Sequence, residues 1–132
     1  MLYLCEESYP EQNTIFLEQH GISLYHCGTG GNREPFQQIP AELMRAALQI
    51  ILDPRNRPIL IHCNKGTHRT GCVVGCLRKI QDSWSLNAIF AEYRRFAGPK
   101  IRIIDLQYID LFDGLVFQTL ENRDERKEGE II

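Results

Sequence analysis

The chain has 132 residues, 43% apolar and 24% charged, a balance that suits one globular domain and excludes a disordered or collagen-like chain. No apolar run approaches the roughly 18 residues of a membrane span, and the start, Met1-Leu2-Tyr3-Leu4-Cys5-Glu6-Glu7, lacks the basic and apolar regions of a secretory signal. The net charge of −2 hides an asymmetry: residues 33–102 hold twelve basic against five acidic residues, while the segments on either side are acidic, which points to an anionic ligand or to a plain solvated surface.

Met1 to Cys5 reads as a short strand. Ser8-Tyr9-Pro10-Glu11 opens a helix over 10–20 with Ile15, Phe16 and Leu17 on its apolar face, and His20-Gly21 stops it. Ile22 to Cys27 alternates as a strand does. Gly28-Thr29-Gly30-Gly31-Asn32 predicts a mobile loop running to about Gln38. Pro40 opens a helix with Leu43, Ala46, Ala47, Ile50 and Ile51 inward, ended by Asp53-Pro54. Pro58 to His62 is short and apolar, as a strand covered on both faces would be. Thr70 to Gln81 predicts a helix burying Val73, Val74, Leu77 and Ile80. Ser85 caps another to about Ala97, and Asp105 caps a last one to about Leu120, before a charged, frayed end. Strands alternating with helices imply an α/β fold with a central, mostly parallel sheet flanked by helices. Five cysteines, an odd number without a Cys-x-x-Cys pair, fit free thiols in a reducing compartment, so a cytoplasmic location is expected.

The informative stretch is Ile59 to Gly71, in which an apolar strand ends at Cys63, five residues follow, and Arg69-Thr70 opens a helix. A loop between a strand's carboxyl end and a helix N-terminus points backbone N–H groups at one spot beside the positive end of the helix dipole, which suits a tetrahedral anion. The same field lowers a cysteine pKa and favours the nucleophilic thiolate at Cys63. Arg69 offers a planar fork for two phosphate oxygens. Gly66 allows a tight turn without a Cβ intruding, and Thr70 can donate to the sulfur. The backbone from Asn64 through Lys65, Gly66, Thr67 and His68 to Arg69 is the expected anion cradle, and His62 is expected to orient it. The implied chemistry is phosphoryl transfer to Cys63 and then to water, with no metal or other cofactor.

With these residues on the page, the chain resembles the Cys-based protein-tyrosine/dual-specificity phosphatase superfamily, and more narrowly its atypical plant and fungal, Siw14-like group. The narrower resemblance rests on His62-Cys63-Asn64-Lys65-Gly66 and His68-Arg69-Thr70-Gly71. It extends to Gly31-Asn32-Arg33-Glu34-Pro35-Phe36, the helix Cys72 to Lys79, and Glu92-Tyr93-Arg94-Arg95-Phe96-Ala97. It implies a Cys-phosphatase fold over residues 1–120, short at its N-terminus and without the first strands of the group's sheet, and a charged tail over 121–132. Relatives commonly carry Lys where this chain has Thr67, which removes one cation beside the expected phosphate site.

The resemblance also implies an aspartate upstream of the cysteine to protonate the leaving oxygen, yet no Asp occurs between Gly28 and Pro35. Glu34, the one carboxylate there, is the candidate general acid; a surface carboxylate paired with an arginine is the alternative. His68 is a second candidate acid. A diphosphate leaving group needs less protonation than a phenolate of pKa about 10, so the missing Asp accords with diphosphate cleavage. Arg94, Arg95, Lys100 and Arg102 are candidates for a rim holding further phosphates, or a solvated face. Cys72 and Cys76 read as core residues and Cys5 and Cys27 as buried thiols. A zinc site at His62, Cys63 and His68 is disfavoured, because a thiolate in an amide cradle leaves little room for a cation. Asp105 reads as a helix cap.

The expected function is that of a metal-independent phosphatase working through a phosphocysteine on inositol pyrophosphates. The alternatives are a protein tyrosine or dual-specificity phosphatase and, in another class, a non-catalytic phosphate-binding pseudophosphatase. The expected partner is a small anionic phosphorylated substrate or a phosphoprotein. Nucleic acid is not expected, since the basic segment lacks interleaved aromatics, and the sequence leaves the oligomeric state open.

Overall fold

The computed structural model describes residues 1–29, 38–81 and 83–129. Its centre is a parallel three-stranded sheet in which β1 (Leu2–Cys5) lies between β2 (Tyr25–Thr29) and β3 (Ile61–His62). Parallel neighbours need long crossovers, and these are supplied by α1 (Glu11–Gln19) and α2 (Ala41–Leu52). The chain continues through α3 (His68–Gln81), α4 (Leu86–Ala97), α5 (Ile103–Leu111) and α6 (Gly114–Gly129). Every residue of β1 is buried, as a central strand covered on both faces requires. Among the described residues, no helix is long and apolar enough to cross a membrane.

Helix α3 runs through the middle, packed against α2, α4, α5 and α6. Two glycines make those contacts close. A Cβ at Gly71 would stand 2.8 Å from the Tyr93 ring, and one at Gly75 would stand 2.5 Å from Ile109 Cδ1. Cys72, Val73, Cys76 and Leu77 are buried between them. The two cysteines act as small core residues, and burial pushes the Cys76 thiol up to about 12.

Several elements depart from expectation. Gly28 and Thr29 belong to β2 rather than to a loop. A Cβ at Gly28 would sit 2.8 Å from the Cys5 carbonyl, so only glycine allows this approach, and the β1–β2 register shifts between Tyr3 and Cys5. The rest of that expected loop, including Glu34, lies outside the described residues. Strand β3 is not covered on both sides: it holds two paired residues at the sheet edge, and Leu60 just before it is 61% exposed. In α1 only Leu17 is buried. In α2 the expected Ala47 and Ile51 are buried, Leu43, Ala46 and Ile50 are half-buried against the core, and Met44 and Leu48 complete the inward face. Asp105 is not a cap but a buried carboxylate in the first turn of α5.

The single helix expected to end near Leu120 is two. The break comes at Phe112-Asp113, where Asp113 accepts from the N–H groups of Leu115 and Val116, and Lys79 Nζ donates to the carbonyls of Ile109, Asp110 and Phe112 at the end of α5. Helix α6 then continues to Gly129. Arg45 of α2 pairs with Glu121 and Asp124, and Gln49 donates to Glu121, so the charged surface expected to fray is tied to the body.

Candidate active site

Cys63 follows β3 directly and α3 begins at His68, so the loop 63–67 is bounded by a sheet edge and a helix N-terminus. Gly66 turns the loop at φ +69°, a conformation that costs an L-residue energy. A Cβ there would meet nothing within 4 Å, so the backbone angle, not crowding, selects glycine.

Cys63 is 8% exposed, and its sulfur receives the Thr70 hydroxyl at 3.1 Å and the Gly66 N–H at 3.3 Å. Burial alone would raise this thiol. The Thr70 hydroxyl and the backbone N–H groups of Thr70, Gly66 and Lys65 outweigh it, and the net shift is below the ordinary thiol value. Arg69 is held from behind, its Nη1 donating to the Thr29 carbonyl at the end of β2 at 3.0 Å. His62 Nδ1 lies 3.1 Å from the Cys63 carbonyl.

A concave pocket opens over the sulfur, lined by Cys63, Asn64, Lys65, Thr67, His68 and Arg69, and by Arg102 from the start of α5. Of the expected cationic rim only Arg102 lines this pocket. Arg94 lies over the Phe90 ring on α4, and Lys100 contributes its carbonyl, which accepts from His68 Nε2 at 2.6 Å. That bond puts the His68 proton on Nε2 and commits it to the protein backbone, so this nitrogen is not poised to protonate a leaving group. The imagined zinc trio does not converge, and among the described residues no group of three His, Cys, Asp or Glu side chains is arranged to hold a metal. Tyr93 and Asp105 were missed as contributors. Tyr93 Oη donates to Asp105 Oδ2 at 2.5 Å, and Asp105 grips Arg102 through Nε at 2.9 Å and Nη2 at 3.0 Å. The Arg102-x-x-Asp105 spacing was a readable signal for the pair, whereas nothing local marked Tyr93.

The tyrosine phosphatase family model matches residues 1–129. The chain belongs to the tyrosine phosphatase family. Within the family it is similar to inositol diphosphatase SIW14 of Saccharomyces cerevisiae, 56% identical over 86% of this chain and 40% of that protein. It is also similar to inositol diphosphatase DSP2 of rice, 55% identical over 86% of this chain and 55% of the relative. The chain thus spans about half the length of the curated relatives it matches. A probable tyrosine-protein phosphatase of Dictyostelium discoideum, DG1060, is 46% identical, and this chain covers 68% of it. The fold matches the solved Siw14 catalytic core with a TM-score of 0.85 at 50% identity, over 94% of this chain and 73% of that one.

Proposed function

We propose that the chain is a Cys-based phosphatase that cleaves the diphosphate groups of inositol pyrophosphates. The observation that carries this reading is the Cys63 sulfur receiving the Thr70 hydroxyl and the Gly66 N–H at the end of the loop that Arg69 joins, in a chain more than half identical to proteins named inositol diphosphatases.

The Cys63 thiolate attacks the terminal phosphorus. An S–P bond forms, the P–O bond to the bridging oxygen breaks, and the electron pair leaves on that oxygen. Arg69 and the amides of Asn64 through Arg69 hold the equatorial oxygens as charge develops on them. Water then attacks phosphorus, the S–P bond breaks, and inorganic phosphate departs. Thr70 stabilises the returning thiolate through its hydroxyl. Glu34 is the proposed donor of the leaving-group proton. No cofactor enters either step, and a nucleophile kept in place beside Arg69 and Thr70 argues against a merely phosphate-binding role. All five cysteines are free thiols, which supports the reducing environment of the cytoplasm as the place of action.

A second reading, a protein tyrosine phosphatase, is favoured by the similarity to the Dictyostelium protein. The purified chain assayed in parallel on an inositol pyrophosphate, a phosphotyrosine peptide and a phosphoinositide separates them. The highest kcat/KM is expected on the inositol pyrophosphate; a preference for the peptide overturns the assignment in favour of the second reading.

A further inference from the structure

Among the described residues, the pocket over Cys63 is lined by three cationic side chains, Lys65, Arg69 and Arg102, and by no carboxylate. Lys65 and Arg69 belong to the cradle itself. Arg102 does not: it arrives from a distant part of the chain, and its side chain is only 14% exposed. Contacts among the described residues help fix it there. Asp105 accepts from Nε and Nη2 in a two-point fork at 2.9 and 3.0 Å, which sets the plane of the guanidinium. Tyr93, lying against Gly71 of α3, donates to Asp105 and accepts the Arg102 N–H at 3.3 Å. His68 of the cradle holds the Lys100 carbonyl two residues before Arg102. The Arg102 segment is therefore locked to the same loop and helix that carry the nucleophile.

A largely covered arginine that only balanced a buried carboxylate would have no reason to line a pocket whose other described residues all belong to the phosphate loop. Asp105 does not line that pocket; it lines a neighbouring recess with Cys72 and Tyr108, which shares Arg69 and Arg102 with the pocket over Cys63. We propose that Arg102 forms a second anion subsite beside the cradle, holding the phosphate group next to the one transferred, and that Asp105 and Tyr93 are the positioning residues that aim it. The subsite deepens the diphosphatase reading and rests on it for its biological ligand: a substrate whose neighbouring phosphate lies one bridging oxygen away would engage Arg69 and Arg102 together, whereas an isolated phosphomonoester would engage only Arg69.

The test is calorimetric binding of inorganic pyrophosphate and inorganic phosphate to the full chain carrying Cys63→Ser, which removes turnover. Pyrophosphate is expected to bind at least tenfold more tightly than phosphate. That ratio is expected to fall at least fivefold when Arg102→Gln and Asp105→Asn are combined, a pairing that leaves no buried charge unpartnered. Asp105→Asn alone, which keeps Arg102 but loosens its aim, is expected to lower the ratio in part, and Arg102→Lys, a point charge without the fork, to retain some of it. A ratio unchanged in the paired variant and in Arg102→Lys overturns the subsite. Failure of the catalytic reading looks different: wild-type protein that binds pyrophosphate through Arg102 yet releases phosphate from no diphosphate substrate contradicts the enzyme assignment and leaves the subsite standing.

Discussion

Arg69 donates through Nη1 to the Thr29 carbonyl at 3.0 Å, so the arginine that opens α3 is tied to the last residue of β2. Thr29 is 5% exposed, and the bond is part-buried. The guanidinium is therefore oriented by the sheet before any anion arrives, and it need not reorganise on binding.

This arrangement predicts a large cost for Arg69→Lys. A lysine keeps the charge but cannot both bond Thr29 and present a fork to phosphate. Losing a pre-aimed donor costs on the order of 10²–10³ in kcat, and steady-state kinetics on any accepted phosphate substrate should show that fall with a smaller change in KM.

Thr70→Val removes the hydroxyl that helps hold the Cys63 thiol below its ordinary value. A hydrogen bond to a charged group is worth about 1.5–3 kcal/mol, or about one to two pH units. The sign follows from the active species. The thiolate forms as pH rises through its pKa, so raising that pKa moves the acid-side limb of the kcat/KM profile to higher pH and slows the enzyme at neutrality. A pH–rate profile with an unmoved limb contradicts the role given to Thr70.

Gly75→Ala would press a methyl into Ile109, whose Cδ1, Cγ1 and Cγ2 stand at 2.5, 2.9 and 3.3 Å from that point. Ile109 is fully buried, so the clash has little room to relax. Overpacking of this kind costs about 1–3 kcal/mol, to be read from the denaturation midpoint. Adding Ile109→Val, which lacks the nearest atom, should recover part of the loss.

The cradle was legible in the sequence because its contacts are local: Cys63, Gly66 and Thr70 lie within eight residues, and strand–loop–helix punctuation surrounds them. The order of strands and helices was legible for the same reason, through periodicity and stop signals. What escaped depends on contacts made across the chain. Gly28 looks like a loop residue until Cys5 is known to lie beside it. Phe112-Asp113 looks helical until Lys79 is seen binding the carbonyls there. Charge alone made Glu121 to Asp124 look frayed, because the compensating Arg45 lies far away in sequence. Asp105 looked like a cap because its partner Tyr93 belongs to another helix.

Glu34→Gln tests the proposed proton donor. General acid catalysis contributes about 10²–10⁴-fold where the leaving group is poor. An aryl phosphate should therefore lose at least about tenfold in kcat, and a diphosphate, whose leaving group needs less help, should lose less. Equal and negligible effects on both would return Glu34 to a surface role.

The most direct measurement is to mix the protein with a diphosphate substrate labelled in its terminal phosphate, quench in acid, and map the label by peptide mass spectrometry. Thiolate chemistry predicts one phosphate on the peptide containing Cys63, formed with EDTA present, and neither label nor turnover in Cys63→Ser. Turnover that persists in Cys63→Ser, or that requires added metal and leaves no phosphate on the protein, would contradict a phosphocysteine mechanism.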